Sequence, residues 1–316
     1  MELRRNEYDV TNQVNTTDVS SVSREVSRIF QMLYPDVSPQ PLNQSFDDVR
    51  RVFRGEYPGY RACDTDYHNL QHTLDVALAM ARLMDGYERS REQSEPIGSR
   101  LFVFGTVTAL LHDVGYIRRK HDTRHHNGAE YTLTHVSRGA RFIEEYMSAI
   151  GMTDLSPVAR QIVHFTGFER AVNEIKLPNM IFRLLGNMLG TADIIAQMSD
   201  RCYLEKCHDR LYPEFVAGGL AESNRQRVAN GTLFSSPGEL VSKTPMFYRT
   251  ATARLNDVLG GTYTHAQDHF GGQNLYLDEI DKNVSYAESV AESNDMTRLR
   301  RTPPSANSKD YDVKTD

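Results

Sequence analysis

Three cysteines in 316 residues are too few, and too unevenly placed, for a disulfide framework. Cys63, Cys202 and Cys207 show no paired metal-ligand spacing, which suits free thiols in a reducing compartment. No apolar run reaches membrane-spanning length, and the opening stretch Met1 to Asp9 lacks the apolar segment of a secretory leader. A cytoplasmic protein with no membrane association is expected. Basic residues are not in excess, since 36 Lys and Arg face 42 Asp and Glu for a net charge of −6. Such a chain offers no general field for nucleic acid, so any anionic substrate must be drawn by a local site. Internal repeats, sustained heptads and strand-like alternation are also missing.

What remains is helical. Hydrophobic residues make up 39% and charged residues 25%, enough for a sizeable core. Val26, Ile29, Phe30 and Leu33 repeat at helical spacing from Ser23 until Pro35 stops them. Ser45 stands where an N-cap would precede Phe46, Val49, Val52 and Phe53. Helices are further predicted from about Tyr67 to Met84, over Leu101 to Leu111, over 129–150, from Ser156 to His164 and from Met180 to Cys207. Weaker helical patterns lie near 214–229 and 239–259, before a glycine-rich segment at 260–272 and a short Leu275–Ile280 run. The expectation is an all-α protein: one helical bundle domain over 21–282, a flexible polar tail at 1–20 and a disordered one at 283–316.

The apolar helix ending at Leu111 runs straight into His112 and Asp113. Neighbours on a helix point about 100° apart, so both can serve one spot only if something between them gathers them. A metal ion does this, and the same residue types recur on other apolar helices. His72, His112, Asp113, His135, His164 and Asp193 each sit on a helix or at its end. Asp193 falls in a segment apolar almost all round, where an unpartnered carboxylate is costly. With Asp113 bridging, one ion would be held by His72, His112 and Asp193 and a second by His135 and His164. Four imidazoles and two carboxylates suit Fe, Mn or Zn, with Mg at an oxygen-rich side. His68 lies one turn before His72, and Asp75 falls three residues after it as an orienting partner for a histidine. His121, His125, His126 and Arg118, Arg119 and Lys120 read as a solvated loop or as a pocket rim that steers phosphate. His265 and His269 read as surface residues.

The order of these residues resembles the HD superfamily of metal-dependent phosphohydrolases, over roughly residues 67 to 205. Tyr67-His68-Asn69-x-x-His72-x-x-Asp75-Val76 is similar to the opening motif of class I cyclic nucleotide phosphodiesterases. His135 with Gly139 and Ala140, His164, and Asp193 with Arg201 resemble the HD-GYP phosphodiesterases. The resemblance implies a phosphodiesterase acting on a small-molecule nucleotide, above all a 3′,5′-cyclic nucleotide, with a homodimer allowed. It implies a dinuclear centre of divalent ions whose bridging hydroxide attacks phosphorus. His72, His112, Asp113, His135, His164 and Asp193 would be metal ligands, Asp113 also catalytic, and His68 the general acid that protonates the departing oxygen. Asn69 would bind substrate, and Gln267 with Phe270 would echo a purine-gripping Gln-x-x-Phe. Departures from HD-GYP proteins are Tyr116 after Gly115, Phe165 after His164, and Gly167-Phe168-Glu169 in place of Gly-Tyr-Pro. They argue against cyclic di-GMP and against a third metal. The same ligand order occurs in HD-type mixed-valence di-iron oxygenases, the main rival, while a nucleotide sensor, a nucleotidase and an alarmone hydrolase are further alternatives.

Overall fold

The computed structural model describes residues 4–221 and 234–305. Its first helices are α1 (Val19–Leu33), α2 (Gln40–Phe53), α3 (Leu70–Ser90), α4 (Gly98–Leu111) and α5 (His135–Ala149). Then come α6 (Ser156–Ile162), α7 (Met180–Ser199), α8 (Tyr203–Lys206), α9 (Tyr212–Ala217), α10 (Pro237–Ala253), α11 (His265–Phe270) and α12 (Leu275–Ser293). The described residues form isolated β-bridges and no sheet. This is the all-α architecture that the sequence predicts.

α3 is the axis of the bundle. Its Ala, Leu and Met content gives high helix propensity, and from Leu70 to Gly86 only Asp75 is not fully buried. α1, α4, α7 and α11 all pack on it. The Asn69 side chain caps it, accepting from the His72 amide at 3.1 Å, which fixes where the helix begins. α4 is buried from Phe102 to Leu111, so its C-terminal end delivers His112 and Asp113 into the interior. The chain then turns through Gly115, where a Cβ would run into the His135 carbonyl of α5. Only glycine lets the turn after Asp113 lie against the first turn of α5.

Both ends of the chain depart from the expected tails. The N-terminal segment is packed: Val14 is buried, and the buried Asp9 carboxylate pairs with Arg82 of α3 at 2.5 Å. An irregular segment has no period to reveal it, so its polar composition reads as a loose tail. At the other end α12 continues to Ser293, burying Asn283, Ala287 and Val290 at helical spacing. Several boundaries also move. Asp18 caps α1 before Ser23, and Ser45 lies inside α2, donating to the Pro41 carbonyl rather than capping. α5 starts at His135 after a single 3₁₀ turn over Gly128–Tyr131, and α7 ends at Ser199. Of the helical stretch expected near 214–229, α9 accounts for the start and 222–229 lie outside the described residues.

Arg82 is 1% exposed, and besides Asp9 it donates to the Tyr276 hydroxyl at 3.1 Å. Burial raises the Asp9 pKa, but the Arg82 charge and the Val14 amide outweigh it and hold the carboxyl below its ordinary range. Asp9→Ala would leave a buried guanidinium without its counter-charge and is expected to destabilise the protein by about 3–5 kcal/mol. Chemical denaturation measures this. The depressed Asp9 pKa stabilises the fold above about pH 4, and that contribution fades as pH falls through the folded value. An acid-unfolding midpoint unchanged in the variant would contradict the pairing.

Candidate metal centre

Four helices bring their polar residues to one point. His72 comes from the first turn of α3, His112 and Asp113 from the end of α4, His135 from the start of α5 and Asp193 from the middle of α7. His112 is 1% exposed and Asp113 5%. His112 Nε2 lies 3.1 Å from Asp113 Oδ2, and His72 Nε2 lies 3.4 Å from the same oxygen. His72 Nε2 is also 3.3 Å from Asp193 Oδ1, with His112 Nε2 3.9 Å from it. The other oxygen of Asp113, Oδ1, faces His135 Nε2 at 3.6 Å. Asp113 thus presents one oxygen to two imidazoles and the second oxygen to a third.

Backbone carbonyls fix two of these rings. A carbonyl only accepts, so His112 Nδ1–H donates to Ala109 O at 2.8 Å and His135 Nδ1–H donates to Thr132 O at 2.7 Å. In the neutral ring each Nε2 therefore carries a lone pair, and it points at a carboxylate oxygen. Two acceptors facing each other in a buried site repel unless a cation lies between them. His112 Nε2 and Asp113 Oδ2 are indeed buried without a hydrogen-bond partner. The donor atoms of His72, His112 and Asp113 all lie within 4.8 Å of one another, a group that can hold a metal ion. Without a metal, a proton on His72 can take that place. Burial opposes a charged His72, but Asp113 and Asp193 outweigh it and push its pKa up to about 10. Burial likewise lowers His112, and Asp113 more than reverses it, raising its pKa. Asp113 is itself held well below the carboxylate range, burial being outweighed by the His112 charge. Burial lowers the His135 pKa.

The other expected residues divide. His164 is buried on the 3₁₀ turn Val163–Phe165, its Nδ1 without a hydrogen-bond partner. Its electrostatic neighbours are Arg170, Glu169 and Arg160 rather than Asp113, and the structure does not gather it with the others. Asp75 lies with Arg4, Thr16 and Asp200 around a small void, and its side-chain hydrogen-bond partner is Thr16 rather than the ring nitrogen it was expected to orient. Asn69 caps α3 and donates to Asp66 O, and it is not among the residues that line the cavity into which His68 and His72 open. Gln267 and Phe270 lie on α11, whose His265 carbonyl abuts Gly86. Gly86 is about 21 Å along α3 from His72, so these two residues are remote from the site. His269, expected at the surface, is half-buried and pairs with Asp85 at 2.5 Å. His121 lies with Arg119, Arg124 and Arg141 in a separate surface cleft, not on the rim of the metal centre.

His68 stands where its spacing places it, beside the cluster. Its Nδ1 meets Glu214 Oε2 at 2.5 Å, and Glu214 also accepts from the Tyr67 amide at 2.6 Å. The Tyr116 ring stacks against both His68 and His135, 4.3 Å from each. Sequence reasoning missed Glu214, which comes from α9 some 146 residues away with nothing local to mark it. Tyr116 had one visible signal, its place three residues after Asp113. His68, His72, Asp113, His135 and Asp193 all open into one cavity of about 700 Å³. In metal analysis after dialysis, Asp113→Ala should come out empty and melt at lower temperature, its buried imidazoles having lost their common partner. Unchanged metal content would remove Asp113 from the site. Comparison with family models, with curated proteins and with solved structures finds no match for this chain.

Proposed function

We propose that the protein is a metal-dependent phosphodiesterase, with His68 as its general acid. The observation that carries this reading is the His68–Glu214 pair at 2.5 Å, set beside the Asp113 cluster in the same cavity. Glu214 has no net freedom to turn away, since the Tyr67 amide also binds it. It therefore holds the His68 ring by Nδ1 and leaves Nε2 to carry the transferable proton. Tyr116 packs flat on the ring and limits its rotation.

His72, His112, Asp113 and Asp193 would hold one divalent ion, and His135 with the second oxygen of Asp113 would hold another. The mixed imidazole and carboxylate set suits Fe, Mn or Zn more than Mg. Such ions supply Lewis-acid activation of water and stabilise charge on the phosphoryl oxygens. The chain's own contribution is to keep the imidazole lone pairs aimed and to deliver the proton from His68 to the departing oxygen. A 3′,5′-cyclic nucleotide is one phosphodiester with such an alkoxide leaving group. An oxygenase has no evident use for a carboxylate-held acid at this position, so hydrolysis is favoured.

His68→Ala should leave metal content intact and lower kcat on an alkyl or ribose phosphodiester by roughly 10²–10⁴-fold. A nitrophenyl phosphodiester needs no proton at departure, so turnover of that substrate should fall far less. Glu214→Gln should reproduce the pattern in weaker form. Equal losses on both substrates would refute the acid role, and loss of metal would make His68 a ligand. Metal counting on His135→Ala adds a second test: one ion should remain where the unaltered protein holds two.

A further inference from the structure

The wall of the cavity differs in kind from its floor. Above the imidazoles and carboxylates it is built from Leu211, Phe215, Leu220, Phe234, Leu240 and Phe247. Phe215 and Phe234 stack in parallel with ring centroids 5.8 Å apart. Towards solvent the apolar surface continues. Of the eight large hydrophobic side chains exposed among the described residues, Leu133, Phe168, Met246 and Phe247 all line this cavity. Phe168 is 80% and Leu133 64% exposed. Scattered apolar side chains need no explanation, but a contiguous set leading into a cavity marks a binding surface.

Polar groups on the wall are mostly engaged. Gln197 Oε1 accepts from the Tyr67 hydroxyl, and Lys243 pairs with Glu239 at 2.6 Å. Glu169 accepts from the Val136 and Ser137 amides at the start of α5. A sugar and base placed against this wall would give up hydrogen bonds to water and recover few, at a cost of roughly 1–3 kcal/mol for each unpaired group. A hydrocarbon chain loses nothing there.

Resting on the phosphodiesterase reading, we infer that the substrate is an amphipathic phosphodiester. Its phosphoryl group meets the Asp113 cluster, and an aliphatic chain runs outward along Phe215, Phe234 and Phe247 towards Leu133 and Phe168. Continuity of the apolar wall with the polar floor names this occupant, because one molecule must satisfy both ends.

The test uses the full-length, metal-loaded protein and n-alkyl(methyl)phosphinates from butyl to decyl, which keep the single negative charge of the diester but have no ester bond to hydrolyse. Calorimetry below their aggregation concentration should show Kd falling roughly fourfold with each methylene. Phe247→Ser should weaken the decyl compound about tenfold, while Val37→Ser, outside the cavity, should not. An affinity independent of chain length overturns the inference. So does a chain effect seen only above the aggregation concentration, which would place the chain on the protein surface or in a lipid phase. A cyclic nucleotide that displaces the decyl compound and binds more tightly also overturns it. The parallel series of alkyl 4-nitrophenyl phosphodiesters separates the two claims. Steep binding with no turnover of any member refutes the hydrolase and leaves the chain subsite standing.

Discussion

A carboxylate buried among imidazoles is the feature on which the site depends. Asp113 is 5% exposed and meets three ring nitrogens within 3.6 Å. Removing an ionised carboxyl from water costs several kcal/mol unless a compensating charge stands against it. Around Asp113 that charge can come as a proton on His72, whose pKa is pushed up to about 10, or as a metal ion held by the His72-His112-Asp113 group. The backbone settles how the conflict is posed. Ala109 and Thr132 take the Nδ1 protons of two histidines, and the opposite nitrogens are thereby aimed inward. Side-chain packing alone would not choose between the two ring orientations. Two carbonyls near helix ends do.

The helices explain why this meeting is deep. α4 is buried on every face from Phe102 to Leu111, so its C-terminal end does not lie at the surface, and the His-Asp pair goes inward with it. α3 is nearly as thoroughly buried, which fixes His72 one turn beyond its cap. α7 carries Asp193 among the buried Leu189, Ala192, Ile194, Ile195 and Ala196. Gly115 then closes the remaining gap by letting the turn after Asp113 touch the His135 carbonyl. Hydrophobic burial of the helices therefore determines where the polar atoms converge.

This division accounts for what could be read in the sequence. Metal-type residues inside apolar helices stand out, because nothing else explains them there, and His72, His112, Asp113, His135 and Asp193 were legible on that ground. His164 passed the same filter and is not gathered with them, since a helix end says which residues are buried but not towards what. Glu214 was invisible: it is a carboxylate beside a proline on a short helix, with its function set by a contact 146 residues away. Asp9 escaped for a related reason, as its partner Arg82 sits at the other end of a 73-residue separation. Asn69 shows the converse error. A motif gave it a role towards substrate, whereas capping chemistry had already used its side chain.

Polar floor and apolar wall also act on one another. An apolar enclosure lowers the effective dielectric around the floor, so each charge there interacts more strongly than it would in water. The same enclosure makes an unmatched charge costlier, which raises the demand for a cation beside Asp113 and for Glu214 beside His68. His68 stands where the two regions join. Glu214 and the Tyr67 amide hold its polar side, and its face lies on the Tyr116 ring. Under the proposed hydrolysis, an acid fixed at that boundary would reach a leaving oxygen at the floor while the rest of the substrate stayed against the wall. On that proposal proton delivery and substrate selection would depend on different residues, and a change in the wall need not disturb the His72-His112-Asp113 group that can hold a metal ion.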